Sequence, residues 1–151
     1  MIVRCGALRI GVPVDVVERV VAAPIPDPLP DAPPIVVGLL NFHGTPTVIF
    51  DPARRGRDIR TAMTLDHRIA VVRAHRGLCG LLCESVEGLF SVAEQAWTGL
   101  EELAPGAGLL AAGAVAGEPV VVLYDLDRSL SPEEEIGLEA ALERHRRDAL
   151  Q

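Results

Sequence analysis

Val37-Gly38-Leu39-Leu40-Asn41-Phe42-His43-Gly44-Thr45-Pro46-Thr47-Val48-Ile49-Phe50-Asp51 is the stretch on which the fold turns. An apolar run ends at Phe42, two residues break it at His43-Gly44, and a second run leads to Phe50. No apolar residue recurs at helical spacing across the break, so the stretch reads as strand, tight turn, strand. Asn41 suits the capping of such a turn, and Gly44 suits a backbone with φ above zero. Gly38 inside the first run suits a close approach of another backbone.

The same pattern extends both ways. Ile2-Val3-Arg4-Cys5, then Gly6-Ala7, then Leu8 to Val12 predicts a first hairpin, and Val16 to Val21 a further strand. Between them and the central hairpin lie Pro24, Pro26, Pro28, Pro30, Pro33 and Pro34, half of the 12 prolines. Proline fixes φ and cannot donate to a ladder, so this segment is a stiff, extended connector. Downstream, Pro52 to His67 reads as a polar loop with room for one helical turn. Arg54, Arg55, Arg57 and Arg60 make it a solvated basic loop tempered by Asp51, Asp58 and Asp66. Arg68 to Arg73 and Leu78 to Cys83 form a hairpin, and Val86 to Val92 continues as strand. Val92 to Leu103 is mixed and accommodates a short helix. Leu109 to Val115 and Val120 to Leu126 form a last hairpin turning near Gly117-Glu118-Pro119. Many short strands at close spacing predict an all-β barrel or sandwich.

The end of the chain differs. Ser131-Pro132-Glu133-Glu134 is a capping box with proline at the first helical position. Leu138, Ala141, Leu142, His145 and Ala149 then recur on one helical face, which folds back onto the barrel through Leu138 and Leu142. Two parts are therefore expected: residues 1–130 as a β domain and 131–151 as an amphipathic helix.

Composition limits the chemistry. The chain has 151 residues, 49% hydrophobic and 23% charged, enough to bury a core without disulfides or metal. All 14 basic residues are arginine, which removes Schiff-base and phosphate-loop lysines. A net charge of −7 and 3% aromatics argue against nucleic acid as a partner. There is neither an apolar run of about 18 residues for membrane insertion nor a charged leader with an apolar core. With 3 scattered cysteines, the expectation is the reducing cytoplasm.

Several segments together resemble the CheW-like family of chemotaxis coupling proteins. Val17-Glu18-Arg19-Val20 is similar to the family's "VxEV", and Leu29-Pro30-Asp31-Ala32-Pro33 to its "LPxAP". Gly38-Leu39-Leu40-Asn41-Phe42-His43-Gly44 is similar to "GxxNxRG", and Pro46-Thr47-Val48-Ile49-Phe50-Asp51 to "PVIDL". Gly80-Leu81-Leu82-Cys83-Glu84-Ser85-Val86-Glu87 looks like "GLLVDSVE", and Leu123-Tyr124-Asp125-Leu126 like the closing "LLDL". The resemblance implies an all-β fold of two five-stranded SH3-like β-barrels sharing an apolar interface, followed by the C-terminal α-helix. It implies a non-enzymatic scaffold, without cofactor or metal, that couples chemoreceptor cytoplasmic tips to the regulatory domain of a CheA-type histidine kinase. By resemblance, Val17, Gly38, Asn41, His43 and Gly44 are the receptor or kinase contacts, Gly38 by keeping a groove wall open. Val17 reads equally as core or as groove wall.

The family pattern has arginine where this chain has His43, a loss of a fixed charge and of a planar fork of donors. That departure opens an alternative, an adaptor that binds receptor without kinase. Pro52 and Cys83 also depart from the pattern, and Glu84 stands for its Asp.

A remote alternative is a thiol or metal enzyme built on His75, Cys79 and Cys83, which are evenly spaced by four. Their apolar, glycine-containing surroundings predict a strand, in which four residues span about 13 Å. Two thiolates on one zinc must approach within about 4 Å, so buried small hydrophobes are the better reading. Ser85 lacks a nucleophile-elbow context, and Asp125 and Asp127 read as turn residues, so no catalytic residue is expected. Trp97 reads as packing.

Overall fold

The computed structural model describes residues 1–6, 8–54, 66–89, 91, 97–99, 109–113 and 119–150. Arg55, Arg57, Arg60 and Asp58, the turn at Gly117-Glu118, and most of the mixed segment up to Leu103 lie outside the described residues, as does the Trp97 side chain.

Two sheets make up the β domain. The first contains β1 (Ile2–Cys5), β2 (Leu8–Gly11), β8 (Ser85–Gly88), β9 (Trp97–Gly99), β10 (Leu109–Gly113) and β11 (Val121–Tyr124), in the order β8-β1-β2-β11-β10-β9. The second contains β3 (Val17–Ala22), β4 (Val36–Phe42), β5 (Thr45–Phe50), β6 (Arg68–Ala74) and β7 (Gly77–Cys83), in the order β3-β6-β7-β5-β4. Among the described residues the first sheet has six strands, one more than the resemblance implies, and Trp97–Gly99 is strand where the sequence allowed a helix. Each sheet is built from antiparallel neighbours joined by one parallel pair, β2 with β11 and β5 with β7.

The two central strands β6 and β7 of the second sheet are buried on both faces over most of their length. Along β6 and β7, Ala70, Val72, Cys79, Leu81 and Cys83 enter a core shared with Val3, Cys5 and Ile10 of the first sheet and with Val12 just after β2. Ile69, Val71 and Leu82 point the other way, into a separate cluster with Ile49, Val21, Val37, Leu40 and Phe42. Side chains alternate faces along a strand, so a strand wet on neither face reads as a continuous apolar run. The second cluster draws on all five strands and is the interior of a barrel. Phe50, only 1% exposed, anchors the shared core, a burial that contributes about 1.5–3 kcal/mol.

Strand β4 carries a bulge between Val36 and Gly38. The extra residue lets Val36 and Leu39, three apart, both reach the shared core while Val37 and Leu40 fill the barrel. The proline-rich connector runs beside β4 and pairs with it at one point. Asp27 N donates to Leu39 O and Leu39 N donates to Asp27 O, both at 2.8 Å.

The C-terminal helix α1 (Pro132–Ala149) begins on the predicted capping box. Glu134 N donates to Ser131 Oγ at 3.1 Å, and Ser131 N donates to Glu134 Oε1 at 3.0 Å. Leu138 and Ala141 join the shared core with Leu142 packed beside them, whereas His145 and Ala149 remain exposed. The helix is therefore seated by its first half. Arg76 reaches Glu135 and Glu139 at 3.7 and 3.6 Å, and Arg144 reaches Asp31 at 3.6 Å. Such exposed pairs contribute about 0–1 kcal/mol each and set orientation more than strength.

Arg54 corrects the picture of a wholly solvated basic loop. Its side chain lies 3.6 Å from Asp51 and donates to the carbonyls of Pro34 and Val36 at 3.4 and 3.3 Å. It ties the start of that loop to β4.

Candidate protein-binding surface

The tip of the β4–β5 hairpin is the first candidate. Its two-residue turn has φ of 51° at His43 and 86° at Gly44, the double-positive geometry that matches the right-handed twist of a hairpin. Histidine adopts that region more readily than most side chains, and glycine does so without strain. Asn41 Oδ1 accepts from Gly44 N at 2.7 Å and locks the turn. Asn41, His43 and Gly44 are all exposed.

Strands β3 and β4 are the two ends of the second sheet, yet their side chains meet at this tip. The His43 ring sits edge-on to Phe42 with centroids 4.6 Å apart. Above Phe42 lies the Arg19 guanidinium, 6.0 Å from the ring centroid. Arg19 Nη1 is 3.4 Å from His43 Nε2. Arginine has only donors, so Nε2 of His43 is the accepting atom in this contact.

The remaining predicted contact residues lie elsewhere. Gly38 is buried, and a Cβ there would stand 2.2 Å from Asp27 O and 3.2 Å from the Pro26 side chain. Its lack of a side chain seats the connector against β4 rather than opening a groove wall. Val17 is half-buried at the margin of the shared core and pairs with Val72. Of the five predicted positions the structure thus gathers Asn41, His43 and Gly44, and separates Gly38 and Val17 from them.

A second surface was not picked out residue by residue in the sequence. Between the two sheets runs a groove of about 240 Å³ with a mainly apolar lining. It is lined by Val12, Pro13 and Val16 before β3, by Val72, Arg73, Ala74 and Leu81 of β6 and β7, and by Leu123 to Asp127. These residues come from segments far apart in the chain, and only the packing of the two sheets brings them together. Arg19 was missed as well, although its position in Val17-Glu18-Arg19-Val20, where the family pattern has glutamate, carried a signal.

The sulfur-based alternative finds no support in the geometry. Cys79 and Cys83 lie on β7 and His75 in the exposed turn before it, where its N donates to Asp127 Oδ1 at 2.8 Å. All three cysteines are free and buried. Burial pushes the Cys79 and Cys83 thiols up to about 11 and raises that of Cys5 as well. Cys5 Sγ donates to Leu82 O at 3.5 Å and Cys83 Sγ to Arg68 O at 3.4 Å. A protonated thiol spent on a carbonyl is neither nucleophile nor ligand. Among the described residues, no three His, Cys, Asp or Glu side chains are arranged to hold a metal ion. Asp51, 3% exposed, accepts from Ala53 N at 3.0 Å and serves the turn after β5; burial raises its carboxyl above the usual range.

Comparison with known proteins gives this arrangement its family. The sequence matches the CheW-like domain over residues 1–134. No curated protein matches it. Among solved structures, it resembles the scaffolding protein TtCheW from Thermoanaerobacter tengcongensis, with a TM-score of 0.76 at 16% identity. The similarity covers 88% of this chain and 92% of that one, and at that identity it speaks for the fold. No helix among the described residues is long and apolar enough to cross a membrane. The chain belongs to the CheW-like family, and it is a chemotaxis scaffold and not an enzyme.

Proposed function

We propose that this chain couples the cytoplasmic tips of chemoreceptors to the regulatory domain of a CheA-type histidine kinase, acting in the cytoplasm. The observation that carries the reading is the presence of two separate contact surfaces, the hairpin tip and the apolar groove, which share no lining residue. A bridge needs two such faces. The groove suits an amphipathic helix of a receptor hairpin, whose apolar residues would enter between the sheets. Asn41, His43 and Gly44 at the tip serve the second partner. Gly38 acts through the connector it seats, and Val17 from the edge of the core. Single contacts of modest strength gain effect when many copies assemble side by side.

Co-precipitation of the full chain with a receptor cytoplasmic fragment and with the kinase regulatory domain tests this. The expected result is binding to each alone and a complex containing all three. Binding to neither would overturn the reading. His43 in place of the pattern's arginine favours one second reading, an adaptor that holds receptor and recruits no kinase. Receptor binding without kinase binding would select it.

A further inference from the structure

Helix α1 leaves the core part-way along its length. Leu138, Ala141, Leu142 and His145 share one face of it. Along that face Leu138 and Ala141 are buried, Leu142 is half-buried and His145 is exposed. Where the packing ends, a hollow of about 310 Å³ opens between the helix and the second sheet. That volume lies at the small end of the range for ligand pockets, about 300–1,000 Å³. Leu39 of β4, Val48 of β5, Leu78 and Cys79 of β7 and Leu142 of α1 give it an apolar lining. It shares no lining residue with the groove between the two sheets.

Charged groups gather at the same place. Arg76, from the turn before β7, and Glu139, His145 and Arg146 of α1 also line the hollow. Glu139 is committed to Arg76 at 3.6 Å, and Glu135 reaches the same guanidinium at 3.7 Å. Arg146 is placed differently. Its partner Glu143, at 3.5 Å, is also held by Arg147 at 3.7 Å. Arg146 can therefore turn to a ligand while Glu143 keeps a counter-charge. Exposed pairs of this kind contribute little, so little is lost in the exchange. His145 adds an imidazole N–H to the same lining.

We infer that this hollow is a binding site for a small apolar monocarboxylic acid. The hydrocarbon body lies against Leu39, Val48, Leu78 and Leu142, and the carboxylate is held by Arg146 and His145. A guanidinium presents paired N–H groups that match the two oxygens of a carboxylate. An amine of the same length meets no free acid in the lining, because Glu139 is spent on Arg76. An alcohol fills the apolar part and leaves the cation without a counter-charge. Hydrocarbon burial supplies the affinity, and the cation supplies the choice between head groups. The inference is independent of the coupling role proposed above, since neither the inter-sheet groove nor the hairpin tip takes part in it.

The experiment titrates the isotope-labelled full chain with octanoate, and separately with octanol and octylamine, and maps the affected backbone amides by NMR. Saturable shifts are expected at Leu78, Cys79, Leu142, His145 and Arg146. Octanoate should bind at least about tenfold more tightly than octanol, and octylamine more weakly still. His145→Gln combined with Arg146→Gln removes the charge from two exposed positions, and urea unfolding verifies that the variant is folded. It should bring octanoate to within about twofold of octanol and leave the position of the shifts unchanged. Leu142→Trp should abolish binding by filling the hollow. Absence of saturable shifts, or shifts confined to the groove lined by Val16 and Tyr124, would overturn the inference. Equal affinity of the parent for octanoate and octanol, or full retention of the preference in the double variant, would overturn it as well.

Discussion

The carbonyl oxygen of Asp27 lies 2.2 Å from the point where a side chain on Gly38 would begin. The obstacle is backbone, and that backbone is pinned by the paired hydrogen bonds between Asp27 and Leu39. The proline-rich connector therefore lies on β4 only because residue 38 has no Cβ.

Gly38→Ala should accordingly destabilise the fold by about 1–3 kcal/mol, the usual cost of forcing atoms into a filled site. Urea unfolding measures it. An unchanged midpoint would show that the connector is not seated on this glycine. Because Gly38 is buried, any loss of partner binding in a folded variant would come from movement of the connector.

Gly80 plays a related part inside the barrel. A Cβ there would stand 2.4 Å from Ile49 Cδ1 and 2.8 Å from Ile69 Cγ2. Gly80→Ala should cost about 1–3 kcal/mol. Ile49→Val removes the nearest atom, so the double variant should be more stable than the sum of the single effects predicts. A double-mutant cycle in urea checks this, and strict additivity would place the strain elsewhere.

Asp51 should leave a mark on the pH dependence of stability. Its folded carboxyl is raised above 3.8, first by burial. Below 3.8 the group is neutral in both folded and unfolded chains. As pH rises through that value the unfolded chain ionises first, and the stability contribution is lost by the time the folded group ionises. Relative to Asp51→Asn, the parent should therefore lose stability as the pH rises through 3.8 and on through the higher folded value. Thermal unfolding across that range is the measurement, and a difference that grows in the opposite direction would contradict the assignment.

The thiols should be silent until the chain opens. With Cys79 and Cys83 pushed up to about 11, roughly one thiol in a thousand is ionised at pH 8. Labelling by a disulfide reagent should be at least about a hundredfold slower for the folded protein than in urea. Rapid labelling of the folded chain would reopen the sulfur-based reading.

Much of the fold was legible in short stretches. The turn at His43-Gly44, the hairpin from Arg68 to Cys83 and the capping box at Ser131 emerged as expected, because each depends on neighbours in sequence. The site was less legible. Asn41, His43 and Gly44 are together because they are adjacent on one turn, but nothing local distinguished Gly38, which is buried, from an open groove wall. Alternation could not help on β6 and β7, since both of their faces are covered.

The sequence by itself determined the strands, the stiff connector and the capped helix, since backbone sterics, proline geometry and end-capping act over a few residues. Tertiary structure decided the parallel joins of β2 with β11 and β5 with β7, the groove between the sheets and the meeting of Arg19 with His43. Those relations depend on which distant segments share a core. Burial of apolar surface is non-directional, so it requires that strands pack without naming their neighbours. Only the packing of the two sheets around their shared core fixes that choice.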